Sequence, residues 1–202
     1  MIITELTEVS ASRVKVYIDE QFAFVLYKGE FRKYGLKKGR AIEADVYKEL
    51  LKEVLPRRAK LRCMNLLKSR DYTREQLRLK LKRGFYPDEV IEEALDYVAS
   101  YHYIDDNRYV YEFINYNHIY KSRRRIENDL IKKGVSKDII SKVWDDWESE
   151  GNKQDEEAQI AKLLVKKKFD FKLASNQDKQ KIYAFLLGKG YSSDKIRRAL
   201  SD

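Results

Sequence analysis

The chain of 202 residues carries 42 Lys and Arg against 33 Asp and Glu, a formal net charge of +9, with 43% hydrophobic and 37% charged residues and a single cysteine. One thiol excludes an internal disulfide and fits a reducing compartment, and no apolar run is long enough to span a bilayer as a helix, so a cytoplasmic protein with no membrane partner is expected. Glycine (8) and proline (2) are scarce, which favours helix with a heavily solvated surface, an elongated array of small modules more than one globule.

Residues 1–42 stand apart as a small β-sheet subdomain. Strands are predicted at 2–9, 14–18 and 22–26, where Val14, Val16 and Ile18 alternate with Lys15, Tyr17 and Asp19, and Phe22, Phe24 and Leu26 alternate likewise. Ser10–Ser12 and Asp19-Glu20 supply the turns of an antiparallel sheet, too small to be stable alone. Gly29, Gly35 and Gly39 then break up a basic stretch holding one short helix near Phe31–Tyr34. Residues 43–58 read as a connecting helix with Val46, Leu50, Leu51 and Val54 on one side, which Pro56 is expected to interrupt or kink.

From residue 59 onward the chain makes one turn three times, around Gly84, Gly134 and Gly190, spaced 50 and 56 residues apart. Aligned on the glycines, each turn has a branched apolar residue three before (Leu81, Ile131, Leu187) and a base just before (Arg83, Lys133, Lys189). Each has an apolar residue just after (Phe85, Val135, Tyr191), an aspartate four after (Asp88, Asp138, Asp194) and a β-branched residue six after (Val90, Ile140, Ile196). The physical reading is helix, tight turn, helix. A glycine just past a helix end takes the left-handed conformation, Ser136 and Ser192 sit where N-caps belong, and Pro87 fits a first helical position. The spacing exceeds that of a two-helix solenoid unit, so each unit holds three helices.

The first repeat, 59–105, has a helix carrying Leu61, Met64, Leu66 and Leu67, with Cys63 in its core, and a capping box at Thr73–Gln76. Its second helix carries Leu77 and Leu81, and its third Val90, Ile91, Ala94, Leu95 and Val98. The second repeat, 106–148, packs through Tyr109, Val110, Phe113, Ile114 and Tyr116, then Ile126 and Leu130, then Ile139, Ile140, Val143, Trp144 and Trp147. A polar joint near 148–157 leads to the third repeat, 156–202, whose second helix is expected to begin late because 173–181 is polar. The fold class is therefore mainly α: three tandem three-helix units behind a small antiparallel sheet.

Catalytic constellations are missing. Two histidines and one cysteine cannot assemble a zinc set, no glycine-rich phosphate loop or nucleophile elbow appears, and His102 near Asp105 and Asp106 reads as a surface linker. The chain is read as a binding protein with no cofactor. Its basic residues form runs: Lys121, Arg123, Arg124, Arg125, Lys132 and Lys133; then Lys162, Lys166, Lys167, Lys168 and Lys172; with smaller groups Arg78-Lys80-Lys82-Arg83, Lys189, and Lys195-Arg197-Arg198. One such run is ordinarily a solvated helix face. Recurring on stacked repeats, they would make a stripe that tracks phosphates or an acidic protein groove without reading base sequence. The candidate contact residues are Lys82, Arg83, Lys121, Arg123, Arg124, Arg125, Lys132, Lys133, Lys166, Lys167, Lys168, Lys189, Arg197 and Arg198.

The segments Arg70–Leu77, Lys82–Phe85, Tyr103–Asp106 and Ser122–Val135, in that order and spacing, resemble the bacterial regulatory RecX family over residues 59 to 202. The resemblance implies tandem three-helix units in a curved shape that bind the groove of the RecA–single-stranded DNA filament. It further implies inhibition of RecA's ATPase, strand exchange and co-protease activities, with weak direct DNA binding in some members. A monomer is expected, since stacked repeats bury their own faces. The alternative is a stand-alone nucleic-acid-binding protein built of helix-turn-helix-like units.

Overall fold

The structure, a computed structural model, describes residues 1–170 and 173–200. It divides into two compact units, residues 1–105 and 106–202.

In the first unit, strands β1 (Ile3–Ser10), β2 (Arg13–Ile18) and β3 (Gln21–Tyr27) form an antiparallel meander in the order β1-β2-β3. Asp19 and Glu20 close the β2–β3 hairpin with positive φ at both positions, which matches the right-handed twist of the flanking strands. Val14, Val16 and Ile18 all point to the core, as their alternation predicts. A short helix α1 (Lys28–Lys33) follows.

Helices α2 (Ala44–Glu49) and α3 (Leu55–Leu67) are continuous through a π-turn at Leu50–Val54. The expected break at Pro56 does not occur. Proline lacks a backbone donor and its ring crowds the carbonyl four residues back. The wider turn, in which the Leu55 amide donates to the Leu50 carbonyl, absorbs that misfit just ahead of Pro56. The inward stripe of α3 is Leu55, Ala59 and Cys63, whereas Leu61 is exposed. Helices α4 (Arg74–Lys82) and α5 (Asp88–Ser100) complete a core shared with the sheet. Arg58 ties the two parts together. It donates to the Glu30 carboxylate (3.0 Å) and the Val25 carbonyl (3.3 Å), and its guanidinium lies 4.2 Å from the Tyr27 ring.

The second unit holds α6 (Asp106–Asn117), α7 (Arg123–Lys132) and α8 (Lys137–Ser149) around Trp144 and Trp147. It continues with α9 (Glu156–Lys166), α10 (Asn176–Gly188) and α11 (Ser193–Ala199) around Ile160, Leu186 and Tyr191. Tyr116, predicted to pack, is exposed. Helix α10 does not begin late: Ser175 caps it by accepting from the Asp178 amide.

The three turns do recur, but the glycine alignment is wrong by one residue in the first. Gly134 and Gly190 have φ of +84° and +95°, while the corresponding left-handed residue of the first turn is Phe85, at +63°, not Gly84. Hydrogen bonding shows the same register, since Tyr86, Val135 and Tyr191 donate to the carbonyls of Leu81, Leu130 and Leu186. The buried counterparts of Leu81 are thus Leu130 and Leu186, and Ile131 and Leu187 are exposed. Pro87 is an N-cap, opposite Ser136 and Ser192. A non-glycine residue in this region costs about 1–2 kcal/mol; the Phe85 ring offsets it by packing against Phe22 and under the Lys15 ammonium, 4.2 Å away. Gly84 is needed for a different reason: a Cβ there would lie 3.0 Å from both the Leu81 carbonyl and the Tyr86 ring.

Candidate polyanion-binding groove

In the second unit the joint between α6–α8 and α9–α11 is polar and closely fitted. Ser122, fully buried, caps α7 by accepting from the Arg125 amide (3.3 Å) and donates to the Lys189 carbonyl (2.8 Å). Gly190 approaches so closely that a Cβ would lie 2.6 Å from Ser122 Oγ. Buried Glu156 accepts from the Arg123 amide (2.8 Å) and the Lys195 ammonium (2.9 Å). Gln159 donates to the His118 carbonyl and accepts from the Tyr191 hydroxyl (2.9 Å). Burial, with the Glu156 charge adding to it, pushes the Tyr191 phenol up to about 12, so it stays a donor at neutral pH.

This joint sets one wall of cations opposite another. A groove of about 630 Å³ is lined by Tyr120, Lys121 and Arg125 on one side and Phe185, Gly188 and Lys189 on the other. The Lys167 and Lys189 ammonium groups lie 4.8 and 5.5 Å from the Phe185 ring centre. Asp129, which is not among the lining residues, lies 2.9 Å from Lys121 and 3.5 Å from Arg125. No carboxylate lines the groove itself among the described residues. Three lining cations, two of them paired with Asp129, leave a net positive charge in a walled cleft, where screening is weaker than on open surface.

The other predicted residues are placed differently. Arg123 turns away: it pairs with Glu127 (3.0 Å) and Glu148 (2.8 Å) and covers the Trp144 ring at 4.7 Å. Lys133 covers Tyr109 and Phe113 from the end of α7. Arg124, Lys132, Lys166 and Lys168 are exposed. Arg197 and Arg198 lie on α11 at 3.9 Å from Asp194 and 3.8 Å from Glu157. Lys82, 3.3 Å from Asp88, and exposed Arg83 end α4 in the first unit, where Arg78 is engaged by Glu75 and Glu92. Lys172 lies outside the described residues.

Sequence reading missed Tyr120, Phe185, Gly188 and the buried pair Glu156 and Gln159. The available signal was weak: two polar residues at i, i+3 beside Ile160 look like a solvated face, and only the packing of the joint shows otherwise. Among the described residues no group of three or more His, Cys, Asp or Glu could hold a metal ion, and no helix is long and apolar enough to cross a membrane.

Fold and groove together define a mainly α protein of three-helix units with an N-terminal sheet. The family descriptions that match are the first three-helix domain of RecX, over residues 59–97, and the third, over residues 155–200. The regulatory protein RecX of Caldanaerobacter subterraneus subsp. tengcongensis is 30% identical over 204 residues, covering 100% of this chain and 99% of that one. That of Clostridium acetobutylicum is 29% identical, covering 94% and 89%. This chain belongs to the RecX family. A crystal structure of regulatory protein RecX matches 100% of this chain and 99% of that one with a TM-score of 0.64 at 20% identity. A crystal structure of RecX from Lactobacillus salivarius matches 73% of this chain and 96% of that one, TM-score 0.58 and 20% identity. These two support the fold.

Proposed function

We propose that this chain is a negative regulator of the RecA recombinase. It binds as a monomer in the groove of the RecA–single-stranded DNA filament and lowers its ATPase, strand-exchange and co-protease activities. The observation that carries the reading is the cationic groove between α7 and α10: a built, positively charged cleft suits a nucleoprotein partner, and the relatives are named as regulatory proteins. Cations elsewhere on the array, Lys82, Arg83, Lys132, Lys133, Lys166, Lys168, Arg197 and Arg198 among them, add contacts worth little singly.

The test is RecA's single-stranded-DNA-dependent ATPase rate with this protein titrated far below the RecA concentration. Inhibition is expected, and Arg125→Gln with Lys189→Gln should weaken it. Arg123 is a poor probe because its replacement would uncover Trp144 and strand Glu148. No inhibition, alongside tight salt-sensitive binding to bare DNA, would instead support a stand-alone nucleic-acid-binding protein.

A further inference from the structure

We infer that the seam between α7 and α8 docks an acidic segment of a protein partner, with carboxylates on Arg124 and Lys137 and an aliphatic side chain against Ile131. This rests on the regulatory reading for its partner and concerns a second site, outside the groove between α7 and α10.

Three observations carry it. The first is a comparison within the chain. The turns match Leu81 to Leu130, so the seam between α4 and α5 is the counterpart of the one between α7 and α8. In the first unit ion pairs close it: Arg78 donates to both Glu92 oxygens (2.8 and 2.7 Å), and Lys82 lies 3.3 Å from Asp88. The positions matching Arg78 and Glu92 hold Glu127 and Ser141, and those matching Lys82 and Asp88 hold Ile131 and Lys137. Neither couple can form an ion pair, and a cleft of about 370 Å³ stays open. The second is charge. Arg124 and Lys137 line the cleft, both exposed and in no ion pair among the described residues. Glu127 also lines it but is held by Arg123 at 3.0 Å. Stability does not ask for these cations, since each sits in the first turn of its helix, at the positive end of the dipole. The third is Ile131, 40% exposed between them and beside buried Ile140. An apolar anchor rimmed by unpaired cations fits an aliphatic side chain flanked by carboxylates. A nucleic acid fits worse: no aromatic ring lines the cleft to stack a base, and phosphates alone leave Ile131 unused. A second copy of this chain, at a net charge of +9, is repelled.

The experiment is fluorescence anisotropy of two labelled peptides with the full chain, one of glutamate alone and one of glutamate interspersed with leucine. The mixed peptide should bind roughly ten-fold tighter, from burial of one leucine side chain. Ile131→Ser should remove that difference. Arg124→Glu with Lys137→Glu should weaken both peptides at least roughly ten-fold. Its melting temperature should hold or rise, because each new carboxylate sits at a helix N-terminus, a combination that misfolding cannot produce. Equal binding of the two peptides by wild type overturns the inference, as does wild-type binding of the mixed peptide by Ile131→Ser or by the charge-reversed variant. RecA's ATPase rate with the same proteins separates the two readings. Inhibition weakened in step with peptide binding supports both. Full inhibition by variants that have lost the peptide overturns the inference and leaves the regulatory reading in place. If the peptide results hold and wild type does not inhibit RecA, the docking seam stands and the regulatory reading falls.

Discussion

Gly190→Ala should be among the most damaging single-methyl additions in this protein. Two effects add. Alanine at φ +95° is strained, at about 1–2 kcal/mol. The new Cβ would also stand 2.6 Å from Ser122 Oγ, so Ser122 must move. It then loses its bond to the Lys189 carbonyl and loosens its cap on the Arg125 amide, each about 0.5–1.5 kcal/mol. The sum is about 2–5 kcal/mol. Gly151→Ala is the control, with φ +88° and nothing within 4 Å of its Cβ, so it carries the strain alone. Both glycines lie in the second unit, as do both tryptophans, Trp144 and Trp147, so tryptophan emission during urea unfolding reports the relevant transition. The difference between the variants should be about 1–3 kcal/mol, or several degrees in melting temperature. Equal destabilisation within about 0.5 kcal/mol would refute the argument that this glycine serves the joint.

Ser122→Ala should cost roughly twice as much as Ser136→Ala in the same assay, because Ser136 only caps α8 while Ser122 also bridges to Lys189; equal costs would deny the bridge any weight. Burial pushes the Cys63 thiol up to about 11. The folded chain keeps this proton where the unfolded chain has released it, so the stability it contributes is full below pH about 9 and is lost as pH rises through 11, by roughly 2–3 kcal/mol. Urea titrations at the two pH values should show a smaller alkaline loss for Cys63→Ala than for wild type. Arg58→Met should destabilise the first unit by about 2–3 kcal/mol, leaving the half-buried Glu30 carboxylate without its cation; a change under about 0.5 kcal/mol, by circular dichroism melts, would show that the sheet docks without it.

Local chemistry made much of the fold legible. Alternation marked the strands, Thr73, Ser122, Ser136 and Ser192 marked helix starts, and apolar spacing marked Leu77, Leu81, Ile126 and Leu130 as core. Each depends on residues within one or two turns of chain. The register of the first turn was not legible, because glycine is the usual left-handed residue and Gly84 stands one position from the place that needs one. The groove was only partly legible. Basic residues are visible in any sequence, but whether they converge depends on which face each one occupies. Arg123, Arg124 and Arg125 are consecutive, so around 100° separates neighbours on the helix: one braces Trp144, one is exposed, one enters the groove.

By itself, then, the sequence determined the element types, the repeat and the excess of positive charge, since those follow from short-range spacing and composition. Tertiary structure decided which cations meet. Ser122 finds its partner 67 residues away at Lys189, Glu156 finds Lys195 39 residues on, and no local pattern encodes either. Those long-range contacts bring α7 against the α10–α11 turn, and that approach turns scattered lysines and arginines into a groove.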